Sequence, residues 1–337
     1  MVRDDLKAMK QRIRALVERT LESDGSTSST KGKDASALQS HPLLQEAARE
    51  FFERRERAFR PAVVILVARA LPLVAPEAEA SIIAARQCLL AEIVEMMSTA
   101  QIIHDTVLEE DDDSALGNVA HRVYSSSAGN KVSVLAGDFL LARCSVALSQ
   151  LGDLRVVELM AAALENMVHG NVLRRDVTDI ASYEEATRLK TSSLVANACL
   201  SAAVLAGHHP DSDLARAVYA YADELGLAYQ TVADVIIFDE LSKNDEASRA
   251  HLLDFLPPVV YAPKKGNVQT GLRHALDAAK THANNAISSL DPLPPSAEKL
   301  ALLKMVDYVS ERDQRGLQRE KYIASAASPP RPATAAP

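Results

Sequence analysis

The 337-residue chain carries a formal net charge of -8 and a sequence pI near 5.6, which argues against nucleic acid or an anionic membrane surface as its main partner. Hydrophobic residues make up 47% of the chain and aromatic residues only 4%, with no tryptophan. We therefore expect a core of Ala, Leu, Val and Ile, as in closely packed helices. Arg69, Arg86 and Glu92 interrupt the most apolar stretches, so no membrane-spanning segment is expected.

The first 40 residues predict a helix followed by a polar linker. The segment MVRDDLKAMKQRIRALVERT is basic and amphipathic like a mitochondrial presequence, but its acidic residues favour an ordinary first helix. Residues 23–40 are polar, contain Ser and Gly, and predict a mobile loop. We expect a helical domain over residues 41–322 and a disordered, Pro- and Ala-rich tail over residues 323–337.

A long helix is predicted from residue 76 onwards, and its end brings two carboxylates together. Asp105 and Glu109 are four residues apart, so both side chains project from one face of the helix. Carboxylate oxygens are the ligands that Mg²⁺ prefers, which makes this pair a candidate magnesium site. The five consecutive acids of residues 109–113 are more typical of a solvated helix end than of a second site. The buried stripe of the helix is predicted to contain Ile82, Leu89, Ile93 and Met97.

The three cysteines, Cys88, Cys144 and Cys199, lie far apart, each in an apolar helical segment. This placement favours buried free thiols over a disulfide or a metal site. It also indicates a reducing compartment. The predicted location is intracellular, either cytoplasmic or mitochondrial.

Two segments follow a recognisable pattern. The first is the lead Ile102-Ile103-His104 before Asp105, and the second is GNK at residues 129–131 followed by AGDFLLA at residues 136–142. Both resemble the trans-polyprenyl diphosphate synthases, the long-chain class that makes quinone tails, and the resemblance extends over roughly residues 42–312. It implies an all-α, single-domain isoprenoid-synthase helical bundle around a central cavity. Such proteins are normally dimers, with the second segment near the subunit contact.

The resemblance also implies a reaction and a set of site residues. The family transfers prenyl groups from allylic diphosphates to isopentenyl diphosphate, with Mg²⁺ bridging the allylic diphosphate to carboxylates. The implied metal ligands are Asp105, Glu109 and Asp234. The implied catalytic residues are Asp105, Glu109 and Lys190, the last in contact with the allylic diphosphate. The implied diphosphate-binding residues are Arg57, Arg60, Gln230 and Lys243.

Between the two metal motifs, the match to the family is mixed. Gly170, Tyr183 and the pair Lys190-Thr191 match its pattern, whereas Asn171 and Arg174 do not. Lys190 interrupts an apolar helix, where an ammonium group is costly unless it is paired. This gives the match at Lys190 some specificity.

Both aspartate-rich motifs are incomplete. The first reads Asp105-Thr106-Val107-Leu108-Glu109 and the second Ala233-Asp234-Val235-Ile236-Ile237, where the family has Asp-Asp-x-x-Asp. Neutral residues also stand where the family has a histidine and two arginines near the diphosphates: Ser98, Ser114 and Ala115. Gln101 places an amide where the resemblance implies that an apolar prenyl tail passes.

These losses leave two main hypotheses about function. The first is a degenerate subunit that supports an active prenyltransferase in isoprenoid biosynthesis, with quinone side chains as the product class. The second is an active Mg²⁺-dependent prenyltransferase, or a terpenoid-forming enzyme, that uses a reduced metal site on allylic diphosphates. A prenyl-binding or scaffold protein without a synthase partner is a third reading. The partner is accordingly a second copy of the chain or an active synthase.

Overall fold

The computed structural model describes residues 2–18, 59–105, 107, 126–242, 256–263 and 267–311, and these residues form helices and turns without a strand. The prediction of an all-α chain is confirmed for this part of the protein. Two 3-10 segments (Glu77–Glu79 and Arg174–Asp176) and a π-helix (Arg188–Ser192) join or extend the α-helices. The α-helices are α1 (Arg3–Glu18), α2 (Phe59–Ala70), α3 (Ala80–His104), α4 (Ser126–Leu151), α5 (Leu154–Leu173), α6 (Ile180–Thr187), α7 (Ser193–Leu205), α8 (Asp213–Ser242), α9 (Pro257–Val260), α10 (Val268–Ser289) and α11 (Ala297–Ser310).

Helix α7 lies at the centre of the bundle, where it packs against α2, α3, α5 and α8. Its sequence is dominated by small residues, and Ala198, Ala202 and Ala203 are completely buried. Small side chains let neighbouring helix backbones approach closely, which explains how an Ala-rich chain builds a dense core. Helix α10 packs on α8 in the same way, through Ala residues on its buried face.

In the first half of α3, the buried stripe is shifted by one position from the predicted one, to Ile83 and Leu90 instead of Ile82 and Leu89. Ile83, Leu90 and Met97, spaced seven residues apart, lie in the core. Ile82 is 61% exposed, so its predicted burial is wrong, because Ile83 occupies the inward position of that turn. The helix begins at Ala80, after a 3-10 turn, rather than at residue 76.

Helix α4 is unusually apolar for its exposure. Its stretch Asn130–Leu151 has a mean hydropathy of 1.5 and is long and apolar enough to cross a membrane by length and composition, although a third of it (33%) is buried within the chain. The charged residues Arg69, Arg86 and Glu92 that interrupt the other apolar stretches lie outside this one. A single helix of this kind does not indicate a membrane protein, and it contains Asp138 and Arg143.

The cysteines behave as predicted. Cys144 and Cys199 are buried, Cys88 is half-buried, and all three are free thiols. Burial raises the pKa of Cys144 to about 12 and raises the pKa of Cys199 further still. These thiols therefore stay protonated and contribute to packing.

Candidate functional site

The first candidate metal ligand lies at the end of α3, where it meets a lysine of the same chain. The Asp105 carboxylate is 2.9 Å from Lys190 Nζ, which also donates a 2.6 Å hydrogen bond to the side-chain oxygen of Asn171. The Lys190 side chain is mostly buried. The ammonium group is thus paired within the chain, and its partner is the carboxylate predicted to bind Mg²⁺. The predicted contact of Lys190 with an allylic diphosphate stays a prediction.

The position of Lys190 depends on the π-helix between α6 and α7. A side chain on Gly170 of α5 would overlap the Lys190 backbone, and one on Gly226 of α8 would contact Ser192 at 2.7–2.9 Å. The π-helix is thus held between α5 and α8 at two points where only glycine fits. Single π-turns inside helices are frequent at functional sites, and this one directs Lys190 towards Asp105.

The second candidate metal ligand, Asp234 of α8, is buried beneath three hydrogen-bond donors. Its side chain is 1% exposed and forms a 2.6 Å ion pair with Arg174 Nη2. The Tyr183 hydroxyl donates to the same carboxylate oxygen at 2.9 Å, and Gln230 Nε2 donates to the other at 2.8 Å. The carboxylate therefore has partners on both oxygens.

The charges of this cluster follow from its contacts. Burial by itself would lower the pKa of Arg174, but the charge and hydrogen bond of Asp234, together with the charges of Tyr183 and Asp105, outweigh it, so the pKa of the guanidinium is raised. Burial, reinforced by Asp234, raises the pKa of Tyr183 well above its ordinary value. Arg174 is accordingly a fixed cation and the Tyr183 hydroxyl a permanent donor.

The two segments that carry the family resemblance meet at His104. Its Nε2 lies 3.3 Å from the Val134 carbonyl oxygen and 3.4 Å from the Asp138 carboxylate. The imidazole packs directly on Gly137, where any Cβ would overlap the ring. The AGD sequence of α4 thus forms the surface on which His104 packs. His104 directly precedes Asp105 in the chain.

Comparison with known proteins agrees with this geometry. The polyprenyl synthetase family model matches residues 41–248. The chain belongs to the polyprenyl synthetase family. It is 33% identical over 305 residues to the mitochondrial solanesyl-diphosphate synthase 1 of Oryza sativa, covering 77% of this chain and 68% of the relative. It is 34% identical over 304 residues to a prenyl transferase of Synechocystis, covering 81% and 90%.

The fold is also that of the family. The apo form of an Arabidopsis medium/long-chain length prenyl pyrophosphate synthase superposes with a TM-score of 0.61 at 25% identity, covering 93% of this chain and 98% of that one. The predicted all-α isoprenoid-synthase bundle is thereby confirmed.

The remaining predicted site residues of this polyprenyl synthetase are only partly described. The Arg60 guanidinium lies 5.9 Å from the centre of the Tyr229 ring, which neighbours Gln230 in sequence and stacks on Phe59. Gln230 also accepts a 3.3 Å hydrogen bond from Thr191, so it joins α8 to the π-helix. Seven residues of the predicted motifs lie outside the described part of the chain: Arg57, Thr106, Leu108, Glu109, Ser114, Ala115 and Lys243.

The motif positions that flank Asp234 on α8 supply no further metal ligands. Ala233 and Ile237 occupy the flanking motif positions, and Ile237 is 41% exposed. Within the described ranges, no group of three His, Cys, Asp or Glu side chains could hold a metal. The donor set at Asp234 therefore does not fit Mg²⁺.

An apolar cavity of about 640 Å³ opens between α4 and α5. Met97 at its wall lies eight residues before Asp105, so the cavity reaches α3 about two turns from the carboxylate. Further along α3, Ser98 is buried, and the buried side-chain nitrogen of Gln101 has no hydrogen-bond partner among the described groups. Other residues of the cavity wall are Leu141, Cys144, Leu148, Met160 and Leu164.

Sequence reasoning missed three residues of this site: Asn171, Arg174 and Tyr183 as partners of the predicted ligands. Asn171 and Arg174 were visible as departures from the family pattern. Their meaning depends on contacts with residues 19 and 60 positions away, which no local pattern reveals.

Proposed function

We propose that this polyprenyl synthetase family protein is a degenerate subunit that supports an active prenyltransferase in isoprenoid, specifically quinone side-chain, biosynthesis. The observation that carries the proposal is that each described candidate metal carboxylate is paired with a cation of its own chain. Lys190 lies on Asp105 and Arg174 on Asp234. Neither carboxylate is left free for a metal.

The chemistry of the family explains why this matters. When bound, Mg²⁺ neutralises the diphosphate leaving group, and the protein contributes free carboxylate oxygens to hold it. Here Lys190 and Arg174 each cancel one carboxylate charge. Asp105 could take part in a metal site only together with Glu109 and after release of Lys190. Each 1.36 kcal/mol of lost transition-state stabilisation costs about tenfold in rate.

The outer face of α4 and α5 supports the partner half of the proposal. Large apolar side chains are exposed along both helices. Contiguous exposed apolar surface commonly marks a protein interface. We assign this face to contact with an active homologue or with a second copy of the chain. Its exposed apolar residues are Val134, Leu135, Val146, Leu154, Val168 and Val172.

One observation favours the alternative, an active Mg²⁺-dependent synthase with a reduced site. Asp105, Lys190 and Asn171 meet near an apolar cavity that a prenyl chain could occupy. In that case Lys190 would leave Asp105 and contact the allylic diphosphate, while Arg57 and Arg60 would hold isopentenyl diphosphate. An intracellular location, in the cytoplasm or in mitochondria, fits either function.

A prenyl-transfer assay separates the two. The pure protein is incubated with Mg²⁺, isopentenyl diphosphate and farnesyl or geranylgeranyl diphosphate, alone and with an intact homologue. We expect no product from the protein alone, and in the mixture a changed rate or product length that persists in Asp105→Asn. Product from the protein alone that Asp105→Asn abolishes and the exposed Asp211→Asn control retains would establish the active enzyme instead.

A further inference from the structure

We propose that Arg174 is a built-in counter-ion that replaces a divalent cation at Asp234, so that this half of the site is held together permanently and without metal. The role concerns contacts within one chain. It would persist whether or not the protein pairs with an active synthase, and it is tested by a different measurement.

The first support is the completeness of the Asp234 environment. An ionised carboxylate accepts about four hydrogen bonds, and three donors already reach this one. Arg174 and Tyr183 share Oδ2, and Gln230 occupies Oδ1. With 1% of the side chain exposed, no open face remains for a hydrated ion.

The second support is charge. Mg²⁺ requires near-octahedral oxygen ligands and is usually held by one or two carboxylates together with substrate phosphates. The flanking positions Ala233 and Ile237 supply no carboxylate. A dication reaching Asp234 would have to displace Arg174 or lie beside its guanidinium, and like charges at such a distance repel strongly in a poorly solvated site.

The third support is the position of the three donors in the fold. Arg174 lies in the 3-10 segment after α5, Tyr183 lies in α6, and Gln230 lies on α8 with Asp234 itself. The ion pair therefore joins the corner between α5 and α6 to α8. A bound metal would join these elements only while it was present, whereas Arg174 joins them in every molecule.

Thermal unfolding with millimolar MgCl₂ or with EDTA tests the proposal. The wild-type unfolding temperature is expected to be the same in both. Arg174→Gln leaves a buried carboxylate without a counter-ion and should lower the unfolding temperature by at least about 5 °C. Mg²⁺ should not recover that loss, because the positions flanking Asp234 supply no further ligand. The second change in Arg174→Gln/Asp234→Asn should recover part of it, because it removes the charge that has lost its counter-ion.

A matched control is Arg155→Gln on the neighbouring helix α5. Arg155 forms a 2.9 Å ion pair with Glu158 in which both side chains are exposed. Exposed ion pairs contribute little to stability, so this variant should unfold within about 2 °C of the wild type and show no response to Mg²⁺.

Two results would overturn the proposal. One is a wild-type protein that unfolds at a higher temperature in MgCl₂ than in EDTA, by a margin that Asp234→Asn abolishes. The other comes from Mn²⁺ binding followed by electron paramagnetic resonance, which does not require the arginine variant to fold. Wild type and Asp234→Asn should bind Mn²⁺ equally, and weaker binding by Asp234→Asn would show that Asp234 is a metal ligand after all.

Discussion

The imidazole of His104 occupies the space that a side chain on Gly137 would need. His104 is the last residue of α3 and Gly137 lies in the middle of α4, so their contact fixes where α3 ends against its neighbour. Val134 and Asp138 hold the ring from the same helix. The contact thereby positions Asp105, the next residue.

Gly137→Ala is expected to destabilise the protein by about 2 kcal/mol, because the added methyl group forces the His104 ring out of a packed position. In a His104→Ala background, the same change should increase stability instead of lowering it. With the ring absent, alanine is the better helix former and should add up to about 1 kcal/mol of stability. Urea denaturation of the four proteins measures both values, and an equal cost in both backgrounds would show that the ring is not responsible.

Gly170→Ala should cost more, about 3 kcal/mol or more, because its methyl group would overlap backbone atoms of the π-helix that cannot rotate away. Val168→Ile adds one methyl group to the exposed face of the same helix and should change stability by less than about 0.5 kcal/mol. Both are measured by urea denaturation. A similar effect of the two substitutions would mean that the π-helix is loosely held.

A second ionic cluster ties α10 to α6 and α8. His282 Nδ1 donates a 2.7 Å hydrogen bond to Glu224, Asn285 donates to the same carboxylate at 3.2 Å, and His282 Nε2 lies 3.7 Å from Glu184. Burial alone would lower the pKa of His282, but its hydrogen bond to Glu224 and the negative charges of Glu224 and Glu184 together raise it overall. Burial alone would raise the pKa of Glu224, but the donors His282 and Asn285 lower it overall.

These directions define a pH window for stability. The raised pKa of His282 means that its contribution is complete below the ordinary value of 6.5 and is lost as the pH rises through the folded-state pKa. The lowered pKa of Glu224 means that its contribution is present above its ordinary 4.5 and is lost as the pH falls. The cluster should therefore stabilise most between those two values.

His282→Gln tests this window through unfolding temperatures measured across it and above it. The unfolding temperature of the wild type should exceed that of the variant most at mildly acidic pH. The difference between the two temperatures should shrink as the pH rises past the raised pKa of His282. The exposed His209, which faces Asp211, provides the control His209→Gln with no such pattern. A pH-independent difference for His282→Gln would show that the residue acts by packing alone.

The apolar outer face of α4 yields a prediction about assembly. Val146→Glu places a charge on this exposed face without entering the core, and it should weaken association of the chain with its partner by at least about tenfold. Ile82→Glu makes a comparable change on exposed surface of α3 and should leave association unchanged. Sedimentation velocity of the protein, alone and with an intact homologue, measures both. Equal behaviour of the two variants would place the contact elsewhere.

The fold could be predicted from the sequence because helical patterning and the AGDFLLA segment are local signals. Cys144 and Cys199 are one example, since each stands in an apolar helical segment and each is buried. The sequence could not predict which face of α3 points into the core, because Ile82 and Ile83 are equally apolar and only packing selects between them.

For the site, the sequence indicated which groups need partners but not which partners they find. Lys190 required a counter-charge, and the structure supplies Asp105 from a helix 85 positions earlier in the chain. Arg174 was a mismatch in the pattern, and its pairing with Asp234 depends on how α5 and α8 pack. The roles of Glu109, Arg57 and Lys243 remain predictions.

Helix α1 has a practical consequence for anyone shortening the gene. The family match begins at residue 41, which makes that position an obvious place to cut. Yet Met9 and Ile13 are buried in the main core, Arg12 pairs with the buried Glu92, and Asp5 pairs with Arg69 at 2.8 Å. A protein lacking these residues would expose part of its core and leave the Glu92 carboxylate without Arg12, its ion-pair partner. Expression trials should therefore retain the first 18 residues.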